Sequence, residues 1–320
     1  MIYIENTDKI AAYPNKDTSL LKNKKLFILD MDGTFYLGDR ILEGSLDFIN
    51  KLKETGREFL FFTNNASKTP EFYIKKLQKM GCEIIKKNIA TAGDVTIEYL
   101  LENYNGKKVY LVGTPLLEES FRKAGINLVL DKSENKFRQG SEERSGEGSG
   151  ERSEEKSGEG SEEKSNGKTD EKLDEKPDVV VVSFDLTLTY EKISRACTFI
   201  REGAVFIATH MDLNCPTEDG FIPDCGSICA MVTASTGVKP RYLGKPFEET
   251  IEMIEHITGY TKDEMVIIGD RLYTDIATGF NNGVASILVL TGETKLEDLE
   301  ESQIKPDYVF PSLSSVIQWI

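Results

Sequence analysis

Short apolar runs without polar alternation recur along this chain, and a stretch with helical spacing follows nearly every one. Lys25-Leu26-Phe27-Ile28-Leu29 runs into Asp30, Glu58-Phe59-Leu60-Phe61-Phe62 into Thr63-Asn64, and Met265-Val266-Ile267-Ile268 into Gly269-Asp270. Such runs predict strands buried on both faces, the habit of parallel sheets covered by helices. The stretches between them, Ser45–Lys53, Pro70–Met80, Phe247–Thr258 and Asp275–Asn281, read as helices; Pro70 sits in a first turn and Gly81 just past an end. This alternation predicts an α/β fold.

A second series of the same kind starts near residue 90, with helices at 95–104, 116–123, 190–202 and 226–237 and strands at 108–113, 126–130, 178–183 and 204–209. It is interrupted. From about 132 to 177 the chain is dominated by Ser, Gly, Glu and Lys with almost no apolar residue, and Ser141–Ser149 recurs at period twelve as Ser153–Ser161. Residues 138–178 hold 8 Lys/Arg against 14 Asp/Glu. That composition cannot bury enough apolar surface to offset chain entropy, so disorder is predicted. Residues 1–23 are polar and irregular and predict a loose extension.

The formal net charge of −15 argues against nucleic acid and anionic membranes as partners. No apolar run is long enough to span a bilayer, and the first residues lack the apolar core of a secretory signal. Five cysteines without a CxxC pair predict neither disulfides nor zinc and suit a reducing cytoplasm. With two histidines in the chain, chemistry must fall mainly to carboxylates, hydroxyls and lysine.

Ligands of open parallel sheets bind outside the carboxyl ends of the strands, and here three strands end in polar residues. Asp30 and Asp32 are two apart with Gly33-Thr34 after them. Asp30 can attack phosphorus to form an aspartyl phosphate, while Asp32 protonates the leaving oxygen and then deprotonates water. Gly33 allows the tight turn that aims backbone N–H groups at one anion. Thr63 and Asn64 can hold a phosphoryl oxygen, and Lys245, between Gly244 and Pro246, can neutralise the transferring group. Magnesium takes hard oxygens; Asp30, the carbonyl of Asp32 and Asp270 would supply them, with Asp275 orienting Asp270, Lys245 or a metal-bound water. Taken singly, each motif also reads as an acidic turn, a polar turn, a solvated loop lysine or a helix cap.

The ordered set DMDGT, TNN, GKP and GDRLYTD resembles the haloacid dehalogenase superfamily of phosphatases, and its spacing is similar to the class IIA, NagD-like and p-nitrophenyl-phosphatase-like branch. FFTNNAS (61–67), LVGTP (111–115), FDLTLTYEK (184–192), NCPTEDG (214–220) and LTGET (290–294) match that branch too. The resemblance implies a Rossmann-like core at 24–83 and 240–320 and an inserted α/β cap of the C2 type at 84–239, with the acidic tract as an insertion inside the cap. It assigns Asp30 as nucleophile, Asp32 as general acid and base, Thr63, Asn64 and Lys245 as phosphate binders, and Asp270 as magnesium ligand. Related enzymes that only transfer phosphate to drive pumping carry Thr at the place of Asp32, so Asp32 favours hydrolysis. His210, Asp212 and Asn214 lie in a loop that resembles the one reaching towards substrate, where they would read hydroxyls of the leaving group. The expected substrate is a small phosphate ester: a sugar phosphate, glycerol phosphate or nucleotide. A cytoplasmic homodimer formed through the cap completes the expectation. A phosphotransferase or phosphomutase with the same intermediate, or a non-catalytic phosphate-binding scaffold, are the alternatives.

Overall fold

A computed structural model describes residue 10 and residues 13–129, 176–217 and 220–320. The acidic tract expected at about 132–177 lies, but for its last two residues, outside the described residues. In chain order the strands are β1 (Leu26–Leu29), β2 (Tyr36–Leu37), β3 (Arg40–Ile41), β4 (Glu58–Thr63), β5 (Ile89–Thr91), β6 (Lys108–Val112), β7 (Asn127–Leu128) and β8 (Val179–Val182). They continue with β9 (Val205–Ala208), β10 (Asn214–Thr217), β11 (Gly220–Pro223), β12 (Arg241–Tyr242), β13 (Met265–Gly269), β14 (Ala285–Val289) and β15 (Tyr308–Phe310). Helices used below are α1 (Ser45–Glu54), α2 (Pro70–Lys79), α3 (Ala92–Asn103), α4 (Pro115–Lys123), α5 (Tyr190–Arg201), α6 (Cys225–Thr236) and α7 (Glu248–Thr258).

Two parallel sheets organise these elements. The first runs β15-β14-β13-β1-β4-β5 and the second β12-β9-β8-β6-β7. Every residue of β1, β8 and β13 is buried, as the unbroken apolar runs predict. Caps start the helices where their sequences say: the Thr91 hydroxyl accepts from Asp94 N while Asp94 accepts from Thr91 N, and Thr189 accepts from Lys192 N. Each such cap contributes about 1 kcal/mol. One apolar cluster contains Ile28 and Phe62 of the first sheet together with Val109 and Val181 of the second, so core and cap share buried surface. The cap's other face closes on Val182, Phe199 and Ile228.

Three expectations are displaced. Ile89–Thr91, assigned to the cap, pairs with β4 in the core sheet, and Arg241–Tyr242, assigned to the core, pairs with β9 in the cap sheet. A three- or two-residue strand is too short to show a period. Residues 13–23 are not loose. Asn15 Oδ1 accepts from Val309 N at 2.7 Å, Lys16 N donates to Asp307 O, and a 3₁₀ turn at Thr18–Asn23 buries Leu21 completely. The segment covers the open edge at β15, which would otherwise present unpaired backbone groups.

The chain leaves β1 towards β4 and β5, and it returns at β13 on the other side of β1. The strand order therefore reverses between β1 and β13, and a crevice opens at their carboxyl ends. The register pairs Leu29 with Ile268 and with Phe61, which brings Asp30, Thr63 and Asp270 to that one edge.

Candidate active site

Asp30 is the first residue beyond β1, and its N–H donates to Ile268 O. Lys245, fully buried, sends its Nζ to Asp30 Oδ1 at 2.6 Å, Asp275 Oδ1 at 2.7 Å and Phe62 O at 3.2 Å, which uses all three ammonium protons. Asp275 reaches this place because a wide π-type turn over Leu272–Ile276, closed by Ile276 N on Arg271 O, follows β13. Its second oxygen accepts from Arg271 N at 3.1 Å. The helix expected at Asp275–Asn281 begins after that turn, at Ala277.

Asp270 is held from both sides. Oδ1 accepts from the Thr34 hydroxyl at 3.2 Å and Oδ2 from Glu293 N at 2.7 Å. Gly33 and Gly292 make room for it: a Cβ on either would meet Asp270 Oδ2 at 2.5 and 1.9 Å respectively. Gly33 also has a φ of 84°, so the turn after Asp32 needs glycine twice over.

Burial pushes the Asp30 carboxyl well above its ordinary range; Lys245 opposes the rise, and Asp275 and Asp270 add to it. Asp270 is raised to about 6, by burial first and then by Asp275. Carboxylates crowded in a dry site call for a cation, and oxygens of Asp30, Asp270 and Asp275 all lie within 4.8 Å of one another. Hard oxygen donors in a cradle that a single methyl group would fill fit a small divalent ion such as magnesium.

Asp32 points to the exposed mouth of the cleft, yet enough protein surrounds it to raise its carboxyl; Lys76 and Arg271 oppose that rise. A carboxyl that keeps its proton more readily than usual is suited to protonating a leaving group. Thr63 lines the cleft at the end of β4, and its hydroxyl accepts from Asn65 N. Asn64 also lines the cleft, but its amide is committed: Oδ1 accepts from Lys245 N at 2.8 Å, and Nδ2 donates to Lys245 O and to Asp212. Its side chain braces Lys245 across the seam between core and cap.

Asp212 and Asn214 line the cleft from the cap side with Cys215 and Pro216. His210, expected beside them as a reader of hydroxyls, does not line it. The ring is wholly buried behind Asp212, because Gly226 at the start of α6 draws the loop inward: Gly226 N donates to Asp212 O at 2.8 Å. Three participants carry no role in the sequence reading. Arg271, Asp224 and the Leu290–Thr294 loop all meet the site, Arg271 being anchored by Glu293 Oε2 at 2.9 Å. Arg271 follows Asp270 directly, Asp224 precedes a helix start, and the loop is the LTGET run, so each has a sequence signal but none shows its target. The cleft has a cavity volume of about 40 Å³. A larger groove of about 960 Å³ runs between α2, α3, α4 and α7, away from all of these groups.

A family model described as haloacid dehalogenase-like hydrolase matches residues 27–127, and a second, HAD-hydrolase-like, matches residues 242–316. The chain is 32% identical over 299 residues to an acid sugar phosphatase of Staphylococcus aureus, across 93% of this chain and 98% of the relative. A 4-nitrophenylphosphatase from Thermotoga maritima has a similar structure, with TM-score 0.77 and 40% identity over 93% of this chain and 98% of that one. NagD from E. coli K-12 aligns with TM-score 0.72 and 26% identity, over 91% of this chain and 97% of its own.

Proposed function

The chain belongs to the haloacid dehalogenase-like hydrolases and is a phosphatase of that type, and on that premise we propose that it hydrolyses small phosphomonoesters with magnesium through an aspartyl phosphate on Asp30. The observation that carries the reading is the junction of Asp30, Lys245 and Asp275 beside Asp270, at the carboxyl ends of two adjacent strands.

An oxygen of Asp30 bonds to phosphorus as the ester's P–O bond breaks, and Asp32 gives its proton to the departing alkoxide. Asp32, now a carboxylate, takes a proton from water; the water oxygen bonds to phosphorus, and the bond to Asp30 breaks to release phosphate. Throughout, Lys245 holds Asp30 in place and offsets the negative charge gathering around phosphorus. Asp30 and Asp270, with Asp275 and the Asp32 carbonyl beside them, would hold magnesium, which supplies charge neutralisation of the phosphate oxygens when bound. Thr63 adds a hydroxyl at the phosphate end. The small cavity and the cap residues over it favour sugar phosphates, glycerol phosphates or nucleotides over phosphoproteins. The sugar phosphatase relative points the same way. A reducing, cytoplasmic setting fits five cysteines without a CxxC pair.

Purified protein should release phosphate from p-nitrophenyl phosphate in the presence of magnesium, lose that activity with a chelator and regain it when magnesium is restored. Acid-quenched enzyme should carry phosphate on Asp30, and phosphate found on any other residue would refute the mechanism.

A further inference from the structure

The loop between β9 and β10 carries His210 in a setting the reaction does not use. Its Nδ1 lies 3.5 Å from Asp212 Oδ2 and its Nε2 lies 3.4 Å from Asp224 Oδ1. The ring is completely buried and the two carboxylates nearly so. Two carboxylates out of water on opposite sides of one ring repel each other unless a positive charge stands between them. A doubly protonated imidazole supplies it; the two contacts are at ion-pair distance, and neither ring nitrogen makes a hydrogen bond among the described residues. These three groups lie close enough to suggest a metal site. The carboxylates sit nearest different ring nitrogens, however, so a proton on each nitrogen meets both of them at once, which an ion on one nitrogen does not.

The clamp sits where the cap grips the core. Both oxygens of Asp212 accept from Asn64 Nδ2, at 3.3 Å each. Asn64 in turn holds Lys245 by its N–H at 2.8 Å and its carbonyl at 3.0 Å, and Lys245 Nζ reaches Asp30 at 2.6 Å. There is little slack: a Cβ on Gly244 would come within 2.7 Å of both Asn64 Oδ1 and Thr209 O. We propose that His210 is a positioning residue, whose imidazolium between Asp212 and Asp224 holds Asp212 on Asn64 and thereby sets Lys245 against Asp30. Its effect on turnover rests on the phosphatase reading above; the clamp itself does not.

The charged and titratable groups facing the ring are Asp212 on its own loop and Asp224 and Cys225 at the start of α6, and Arg271 acts on both carboxylates from the core. Burial alone would lower the ring's basicity; Cys225, Asp212 and Asp224 reverse this and bring it to about 9. The clamp is therefore closed at neutral pH and released as pH rises through about 9.

The chain has two histidines, so ring NMR of the full-length His256→Gln protein leaves one imidazole to follow. Its midpoint should lie near pH 9, and a midpoint near the ordinary 6.5 would overturn the proposal. Asp224→Asn keeps the oxygen that caps Cys225 N, and it should move that midpoint down by about one unit. His210→Gln should lower kcat roughly 10- to 50-fold, leave KM within about twofold and remove the alkaline limb of the kcat profile. A folded His210→Gln protein with native kcat and a native pH profile would overturn it as well, and so would an unmoved midpoint in Asp224→Asn. A native protein that turns over no phosphate ester, but whose ring titrates near pH 9, would refute the phosphatase reading and leave the clamp standing.

Discussion

The two walls of the cleft are built by different means. The core wall is fixed by sheet register: Asp30 and Asp270 leave neighbouring strands, and glycines at 33, 269 and 292 let other groups press against them without room for a methyl. The cap wall is a loop leading into the short β10–β11 hairpin, where Asn214 is exposed and Asp212 is held by a buried charge cluster. Backbone register resists displacement more than a loop does, so the proposed reacting groups, Asp30 and Asp270, sit on the better-fixed wall. The wall that meets the variable part of a substrate is the one sequence can remodel at little cost to the fold.

If that division is right, substitutions in the core wall strike kcat hardest. Asp30→Asn should reduce turnover by at least about 10⁴-fold while circular dichroism stays native, since an amide cannot form the covalent intermediate. Residual turnover above that level would break the assignment of chemistry to this wall. Asp32→Asn should follow at about 10²- to 10⁴-fold for alkyl phosphates. With p-nitrophenyl phosphate, whose leaving group needs no proton, the same variant should show a rapid burst of p-nitrophenol and then a slow steady state, because only the water step is impaired. A p-nitrophenol burst slowed as much as release of an alkyl leaving group would remove Asp32 as the acid.

The metal cradle belongs to the core wall, and a conservative change there sharpens the contrast. A Cβ at position 292 would meet Asp270 Oδ2 at 1.9 Å, so Gly292→Ala must displace Asp270 or the Thr291–Thr294 turn that holds it. Magnesium titrations should show roughly 10- to 100-fold weaker activation, with much of kcat recovered at saturating metal. An unchanged magnesium curve would mean that the cradle does not set metal affinity.

The same contrast explains what could be read in advance. The core wall is legible because chemistry and fold share one signal there: an apolar run that must be a buried strand, ending in a polar residue that must emerge at the sheet's edge. Asp30, Thr63 and Asp270 are located this way without knowing any long-range contact. Lys245 follows only a two-residue strand, and its place against Asp275 depends on a π-type turn that no periodicity announces. Asn64 looks like a phosphate binder from its position after β4, but its amide is consumed by partners 181 and 148 residues away. His210 fails for the same reason. A histidine in a polar loop reads as exposed, and only the tertiary fold reveals that Gly226 admits the loop backbone to within van der Waals reach of α6, where a Cβ would lie 2.2 Å from Met211 O.

The smallest expected effect tests the cap wall directly. Asn214 opens β10, is exposed, lines the cleft and has no side-chain hydrogen bond among the described residues. Asn214→Ala removes one hydrogen-bonding group that water can replace, so the loss should stay near 1 kcal/mol, or about fivefold in kcat/KM. The loss should fall in KM, because the leaving group's hydroxyls contact this wall alike in the ground state and the transition state. It should appear with sugar or glycerol phosphates and vanish with p-nitrophenyl phosphate, which offers the amide no hydroxyl. The measurement is the ratio of kcat/KM values for the two substrates, native against variant. An equal loss on both would mean that Asn214 supports the core wall through the loop, and the division between a wall for chemistry and a wall for recognition would then fail at its weakest point.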